Sequence, residues 1–258
     1  QWGIFLQDTW QVNNNLSVQY GFRIDIPLMD DQPLYNAKFA QSFKDANVNP
    51  RNNQVTLNGN RVVQPRVSFN YTFNTERMTQ LRGGAGLFVT NPPGVWIGNI
   101  FSNSGVTQAQ YYCGPGASKP CNTAPYPAFS PNANAQNNGA AGGQMTVNTV
   151  EPGFRIPSAW KMSLGFDKEL PWYGLVATLD YEHIKQRDAI WYQNLNLGAP
   201  TAVLPDGRLS YYGKPTLDPK ATGQTSRANA NPAFSDAVIN LANPSRGKAD
   251  SFTMALKK

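Results

Sequence analysis

The sequence predicts an all-β chain that forms part of a transmembrane antiparallel β-barrel, and three observations predict it. Apolar and polar side chains alternate over segments as long as a tilted strand needs to cross a bilayer. Connections of a few residues take turns with connections of several dozen. The composition is rich in strand-forming residues and poor in ions, with 12% aromatic and 40% hydrophobic residues against only 15% charged.

The composition also excludes several classes. Mean hydropathy is −0.45, so the polar remainder is carried by Asn, Gln, Ser, Thr and Gly rather than by charge. Disordered chains show the opposite balance, many charges and few aromatics, so this chain is expected to fold. No apolar run approaches the roughly 18 residues of a spanning helix. The opening Gln1-Trp2-Gly3-Ile4 lacks the basic and apolar regions of a signal peptide and reads as the middle of a longer protein. The net charge of +6 is spread along the chain, and the sole adjacent basic pair is Lys257-Lys258. Nucleic acid is therefore not an expected partner, since that function writes a clustered basic stripe.

The alternation is clearest in residues 16–26. Leu16, Val18, Tyr20, Phe22, Ile24 and Ile26 define one face; Ser17, Gln19, Gly21, Arg23 and Asp25 define the other. Successive strand side chains point to opposite faces, and no helical period accounts for the pattern. It returns at residues 63–73, where Gln64, Arg66, Ser68, Asn70 and Thr72 separate apolar positions that include Pro65. Residues 79–90 place Leu81, Ala85, Leu87 and Val89 opposite Gln80 and Arg82, with Phe88 out of pattern on the polar side. Residues 159–167 alternate Trp160, Met162, Leu164 and Phe166 with Lys161, Ser163, Gly165 and Asp167. Leu175, Ala177, Leu179 and Tyr181 then alternate with Val176, Thr178, Asp180 and Glu182. Trp2, Ile4, Leu6 and Trp10 mark a first strand, and Phe252, Met254 and Leu256 begin a last one, seven in all.

A water-soluble sandwich also alternates, so the connections carry the distinction. Strands one and two are joined at residues 13–15, three and four at 74–77, and five and six at 168–172. The other joins are long, residues 27–61, 91–157 and 185–250. Compact soluble domains seldom hold structureless loops beyond about 15 residues. Outer-membrane barrels combine short periplasmic turns with long extracellular loops. Trp10, Phe73, Trp172 and Tyr173 then fall beside the short turns, where an interfacial aromatic girdle belongs. Pro65 has no N–H to complete a closed ladder and is expected at the outer rim or beside a bulge. Seven strands do not make a complete bacterial barrel, so the expectation for residues 1–258 is a partial barrel domain without its plug or remaining strands.

The residues also resemble a family. Phe5-Leu6-Gln7-Asp8-Thr9-Trp10, then Leu16-Ser17-Val18 and Gly21-Phe22-Arg23-Ile24-Asp25, look like the strand–turn–strand signature of TonB-dependent outer-membrane receptors. Pro65-Arg66-Val67-Ser68-Phe69-Asn70-Tyr71 looks like the next hairpin of that family. Arg82-Gly83-Gly84-Ala85-Gly86-Leu87-Phe88 leading to Pro92-Pro93, together with Phe101-Ser102-Asn103, narrows it. So do Pro157-Ser158-Ala159-Trp160 and Ala189-Ile190-Trp191-Tyr192-Gln193-Asn194. Together they resemble the Oar-like branch, whose members carry a carboxypeptidase-regulatory-like domain ahead of the plug. The resemblance covers strands and loop bases but not loop tips. It implies a barrel of about 22 strands around an N-terminal plug, importing a scarce substrate with energy relayed by TonB, ExbB and ExbD. A surface lipoprotein is a further partner to consider, and the location implied is the Gram-negative outer membrane, in contact with its lipid.

Catalytic chemistry finds little support. His183 is the single histidine, so a Ser-His-Asp triad or a His-based zinc site would depend on it alone. It falls at the outer end of its strand, where a rim or structural role is the default. Asp180 and Glu182 lie about 7 Å apart on one strand face, a spacing open to glycosidase chemistry, but lumen lining is the simpler reading. The run Gly83-Gly84-Ala85-Gly86 lies within a strand and lacks both the third glycine of a dinucleotide fingerprint and the Lys-Ser/Thr of a phosphate loop.

The candidate lumen-lining and substrate-contact residues are therefore Arg23, Asp25, Arg66, Arg82, Lys161, Asp167, Asp180 and Glu182. Cys113 and Cys121, in a Gly/Pro/Asn/Ser-rich stretch, are a disulfide candidate suited to an oxidising compartment. No cofactor or metal is expected, apart from calcium as a minor option in Asp-containing loops such as Asp30-Asp31. The expected function is outer-membrane transport and not catalysis; the alternatives are a secreted or cell-surface all-β adhesion or carbohydrate-binding module, or a passive porin.

Overall fold

A computed structural model describes residues 1–43, 52–107, 131–132, 134, 144–212, 228–236 and 238–258. Seven long strands form one antiparallel sheet: β1 (Trp2–Asn13), β2 (Leu16–Ile26), β3 (Val62–Thr72), β4 (Thr79–Val89), β6 (Ser158–Glu169), β7 (Val176–Asp188) and β12 (Lys248–Lys257). The short β5 (Asn148–Val150), β8 (Trp191–Asn194), β9 (Ala202–Val203), β10 (Leu209–Ser210) and β11 (Ile239–Ala242) lie in the long connections, with α1 (Ala37–Ser42) and α2 (Gly94–Ser102). Sheet order follows chain order, β1-β2-β3-β4-β6-β7-β12, and the sheet is open. Strands of 10 to 13 residues run about 33–43 Å at the rise of a β-strand. Tilted by about 40°, they cover the height of a hydrocarbon core.

The three short turns use local side-chain chemistry. Between β1 and β2, Asn13 Oδ1 accepts from the backbone N–H of Asn15 and of Leu16, each at 2.9 Å. That is the Asx turn for which asparagine is favoured. Between β3 and β4, Phe73 N donates to Thr79 O at 2.9 Å. Between β6 and β7, Leu175 N donates to Trp172 O at 3.0 Å, and Tyr173 and Gly174 both have positive φ, 53° and 65°. Two left-handed residues in sequence make the type I′ turn that matches strand twist. Tyr173 takes this conformation although its Cβ disfavours it.

Pro65 explains a break in the ladder. β2 and β3 stay paired up to Val62, but β3 and β4 part above the Arg66–Gly86 pair. Pro65 has no N–H to offer β4. Beyond it the Gln64 side chain stands in, with Gln64 Oε1 accepting from Val89 N at 3.3 Å.

The long connections are ordered, and this was not legible beforehand. They fold together at one end of the sheet. β11 is the centre of a three-stranded sheet, parallel to β5 and antiparallel to β8. One apolar cluster joins Leu57, Ile97, Ile100, Val150, Phe154, Ile156 and Leu241; a second joins Phe39, Phe43, Val147, Phe234 and Val238. Asparagines tie the segments. Asn36 caps α1 by accepting from Phe39 N at 2.9 Å, donates through Nδ2 to Ser104 O at 3.0 Å, and donates its own backbone N–H to Asn53 Oδ1 at 2.9 Å. Asn243 Nδ2 donates to both Arg155 O and Ala189 O. Asn-rich composition thus serves to satisfy the buried backbone of irregular chain.

Most of the fully buried apolar residues belong to this cap, whereas the alternating apolar face of the seven strands looks outward. Tyr20 is 46% exposed and Leu179 37%, with Phe69 half-buried. A water-soluble sandwich would bury that face. Among the described residues no helix is long and apolar enough to cross a membrane.

Two strand ends also differ from expectation. The last strand begins at Lys248 rather than Phe252, and β7 runs on to Asp188. His183 accordingly lies within β7, five residues short of its end, and not at the rim. The ladder continues because backbone pairing does not depend on apolar alternation.

Candidate functional site

Register places all eight charged residues singled out above on the sheet face opposite the apolar one. Across the strands one row reads Gln11, Ser17, Asn70, Arg82, Gly165, Asp180 and Thr253. Another reads Gln7, Gly21, Arg66, Gly86, Lys161 and Ile184. Glu182 pairs with Ser163, Asp167 with Gln80, and Arg23 with Gln64. Three groupings follow along the strands.

Nearest the cap, Arg23 grips Asp25 with Nε and Nη2 at 2.8–3.0 Å. Asp25 is only 1% exposed. A buried carboxylate needs such partners, and it has two more, since the Gln64 and Gln1 amides also donate to it. Arg66 Nη2 donates to Gln64 Oε1 at 3.0 Å, which extends the network along β3.

Toward the short turns, Arg82 bridges three strands. Its Nε donates to Asp167 Oδ2 at 2.9 Å and its Nη2 to Asp180 Oδ1 at 2.8 Å. Thr178 Oγ1 donates to the other oxygen of Asp167 at 2.7 Å. Arg82 and Asp180 are two strands apart, with Gly165 between them in the row. A Cβ at Gly165 would come within 2.5 Å of Asp180 Oδ1 and 2.7 Å of Arg82 Cζ. Glycine is therefore required for this ion pair to cross β6.

Between the two groupings lies a trough of about 690 Å³, floored by Gly21, Ser68, Gly84 and Ser163. Arg66, Phe88 and Lys161 edge it on the cap side and Arg82 on the turn side; Glu182 also lines it. The Arg66 guanidinium carbon stands 4.4 Å from the Phe88 ring centroid, and Lys161 Nζ 6.0 Å from it. Phe88 is thus a member of the polar face in its own right, and its break in the alternation was the signal. Gln64, Thr178 and Gly165 were missed, because their roles appear only once the register is known.

The apolar face holds two acids that alternation alone did not single out. Tyr20 OH donates to Asp8 Oδ2 at 2.9 Å. Tyr181 OH donates to Asp250 Oδ1 at 2.8 Å, with His183 Nδ1 2.7 Å from the same oxygen. His183 is thus occupied by a neighbouring carboxylate. Asp30 and Asp31 are exposed on irregular chain, and among the described residues no group of three or more His, Cys, Asp or Glu gathers to hold a metal. Cys113 and Cys121 lie outside the described residues.

A family model described as an outer membrane beta barrel domain matches residues 1–258. The chain belongs to this family. No match was found among curated proteins or among solved structures. In an outer membrane beta barrel domain the short turns face the periplasm and the long connections the cell exterior. The cap is therefore extracellular, and the outward apolar face meets lipid. Trp10, Trp172 and Tyr173 are exposed at the periplasmic end, Tyr173 at 86%, with Phe73 packed edge-on against Tyr71 at 4.7 Å. In the extracellular cap, burial pushes the Tyr192 phenol up from its ordinary pKa, and the Arg208 guanidinium holds Asp206 below the usual carboxylate range.

Proposed function

We propose that this outer-membrane barrel domain is part of the wall of a TonB-dependent importer of the Oar-like branch, and that it binds and passes solute rather than catalysing a reaction. The observation that carries the reading is the inner face: an ion pair along β2, an arginine bridging β4, β6 and β7, an open trough between them, and an ordered cap above. Passive diffusion needs neither a built trough nor a cap with its own cores. The Oar-like motifs supply the rest, including the plug and energy coupling through TonB, ExbB and ExbD. On this reading Trp10, Phe73, Trp172 and Tyr173 anchor the wall at the periplasmic interface. β1 and β12 each have one neighbour. Lipid does not tolerate unpaired strand edges, so both edges pair with further strands of the barrel.

The test uses the full-length protein. Reconstituted in planar bilayers it is expected to stay closed, and in detergent it is expected to capture the periplasmic domain of TonB. A steady ohmic conductance without TonB binding would instead make it a porin. Recovery of the protein in the aqueous fraction without detergent would favour a surface adhesion module.

A further inference from the structure

The eight charged residues of the inner face balance in number, four cations against four acids, but not in place. Two acids gather on Arg82, Glu182 makes no ion pair among the described residues, and two cations stand together without one. Arg23 is matched by Asp25, and Arg82 by Asp167 and Asp180. Arg66 and Lys161 are matched by nothing: among the described residues no carboxylate lies within 4.0 Å of either. They belong to one cross-strand row, separated by Gly86. Both cations approach the same ring, that of Phe88.

This arrangement is organised rather than merely charged. Arg66 is held at two points, by Gln64 Oε1 at 3.0 Å and by the ring at 4.4 Å. Stacking uses the face of a guanidinium and leaves its in-plane N–H groups, the fork that matches a carboxylate or phosphate. Lys161 adds a second, mobile positive point. Gly86 leaves room for the contact, since a Cβ there would come 3.0 Å from Arg66 Cγ and 3.1 Å from Phe88 Cε2 and oblige both to shift by a few tenths of an ångström. All three side chains line the open trough.

We propose that Arg66, Lys161 and the Phe88 ring form a binding subsite for the oxyanion group, carboxylate or phosphate, of an anionic solute on the inner face. The proposal rests on the transport reading, since a solute-bearing lumen is what brings anions to this face. Arg66 takes the oxyanion through the N–H groups that Gln64 leaves unused, Lys161 closes on it from two strands away, and Phe88 keeps the guanidinium from folding away.

The probe is pyridoxal phosphate, an aldehyde with a phosphate that forms an imine with a lysine beside an anion site. The full-length protein is labelled in detergent, reduced with borohydride and mapped by peptide mass spectrometry. Lys161 is expected to label ahead of Lys38, an exposed lysine of α1 in the cap. Benzoate and inorganic phosphate are added separately, with chloride balancing ionic strength. Protection by benzoate assigns a carboxylate site, and protection by phosphate a phosphate site. Arg66→Gln should cut Lys161 labelling about tenfold, the equivalent of one charge-assisted hydrogen bond; Arg246→Gln, in the cap, should leave it unchanged. Folding of each variant is checked by heat-dependent mobility on gels, and Arg66→Lys, which keeps the charge but loses the fork, should give an intermediate loss. Labelling of Lys161 no faster than Lys38, or indifferent to both anions, or unaffected by Arg66→Gln, overturns the proposal. If labelling fails while TonB is still captured, the subsite falls and the transport reading stands.

Discussion

Replacing Arg82 with Met tests whether the bridge across β4, β6 and β7 stabilises the wall. Methionine keeps most of the stem and removes the fork. Asp167, with its side chain 14% exposed, would be left with the Thr178 hydroxyl alone; Asp180, 38% exposed, would lose the arginine altogether. A hydrogen bond to a charged group in a mostly buried setting contributes about 1.5–3 kcal/mol. The more exposed pair adds about 0.2–1 kcal/mol after solvent screening. Arg82→Met should therefore destabilise the barrel by about 2–4 kcal/mol. Arg66→Met, which breaks no ion pair, should cost less than about 1 kcal/mol. The assay is equilibrium unfolding in urea from lipid vesicles, followed by tryptophan fluorescence. Asp167→Asn and the double variant complete a cycle whose coupling should reach about 1 kcal/mol or more. Equal costs for Arg82→Met and Arg66→Met, or additive behaviour in the cycle, would refute the argument.

Other perturbations give equally definite outcomes. Leu164 and Ser163 are adjacent in mid-strand on opposite faces, so Leu164→Arg should cost about 2–4 kcal/mol as a lipid-facing charge and Ser163→Arg under about 1 kcal/mol, in the same vesicle assay. Gly165→Val should displace the Arg82–Asp180 pair and reproduce most of the loss seen with Asp180→Asn, so that the two combined are less than additive. Asn36→Ala removes a buried side chain that caps α1 and also donates to Ser104 O in the next long connection, and should loosen the cap by about 2 kcal/mol. Hydrogen exchange should then rise in residues 36–43 and 144–150 but not in β6 or β7. Acid should release the Asp206–Arg208 turn: its carboxylate is held below the ordinary range, so that contact is present above the unfolded-state pKa and lost as pH falls through the folded one. Titration of Asp206 by NMR checks the direction.

The strands were legible because lipid on one side and water on the other force a period of two onto the side chains. Residues 16–26 were assigned the bounds that β2 has. Where the period lapses, so did the boundary: Lys248-Ala249-Asp250-Ser251 carries no apolar alternation, yet its backbone pairs with β7. The outward Asp250 is tolerated there because Tyr181 and His183 satisfy it. The cap was illegible because its elements are short, six residues in α1 and four in β8, and its cores join residues from three separate connections. The charged face was readable as a set of residues. How they partner was not, because whether Arg82 reaches Asp180 depends on register and on Gly165 between them.

The central claim is that one face of the sheet meets hydrocarbon and the other an aqueous interior. Spin labels placed singly at residues 160–167 of the full-length protein in lipid vesicles test it most directly, with Cys113 and Cys121 replaced by serine. Positions 160, 162, 164 and 166 should be relaxed preferentially by oxygen dissolved in the bilayer, and positions 161, 163, 165 and 167 by a water-soluble nickel chelate. Uniform access to the chelate at all eight positions would contradict the account.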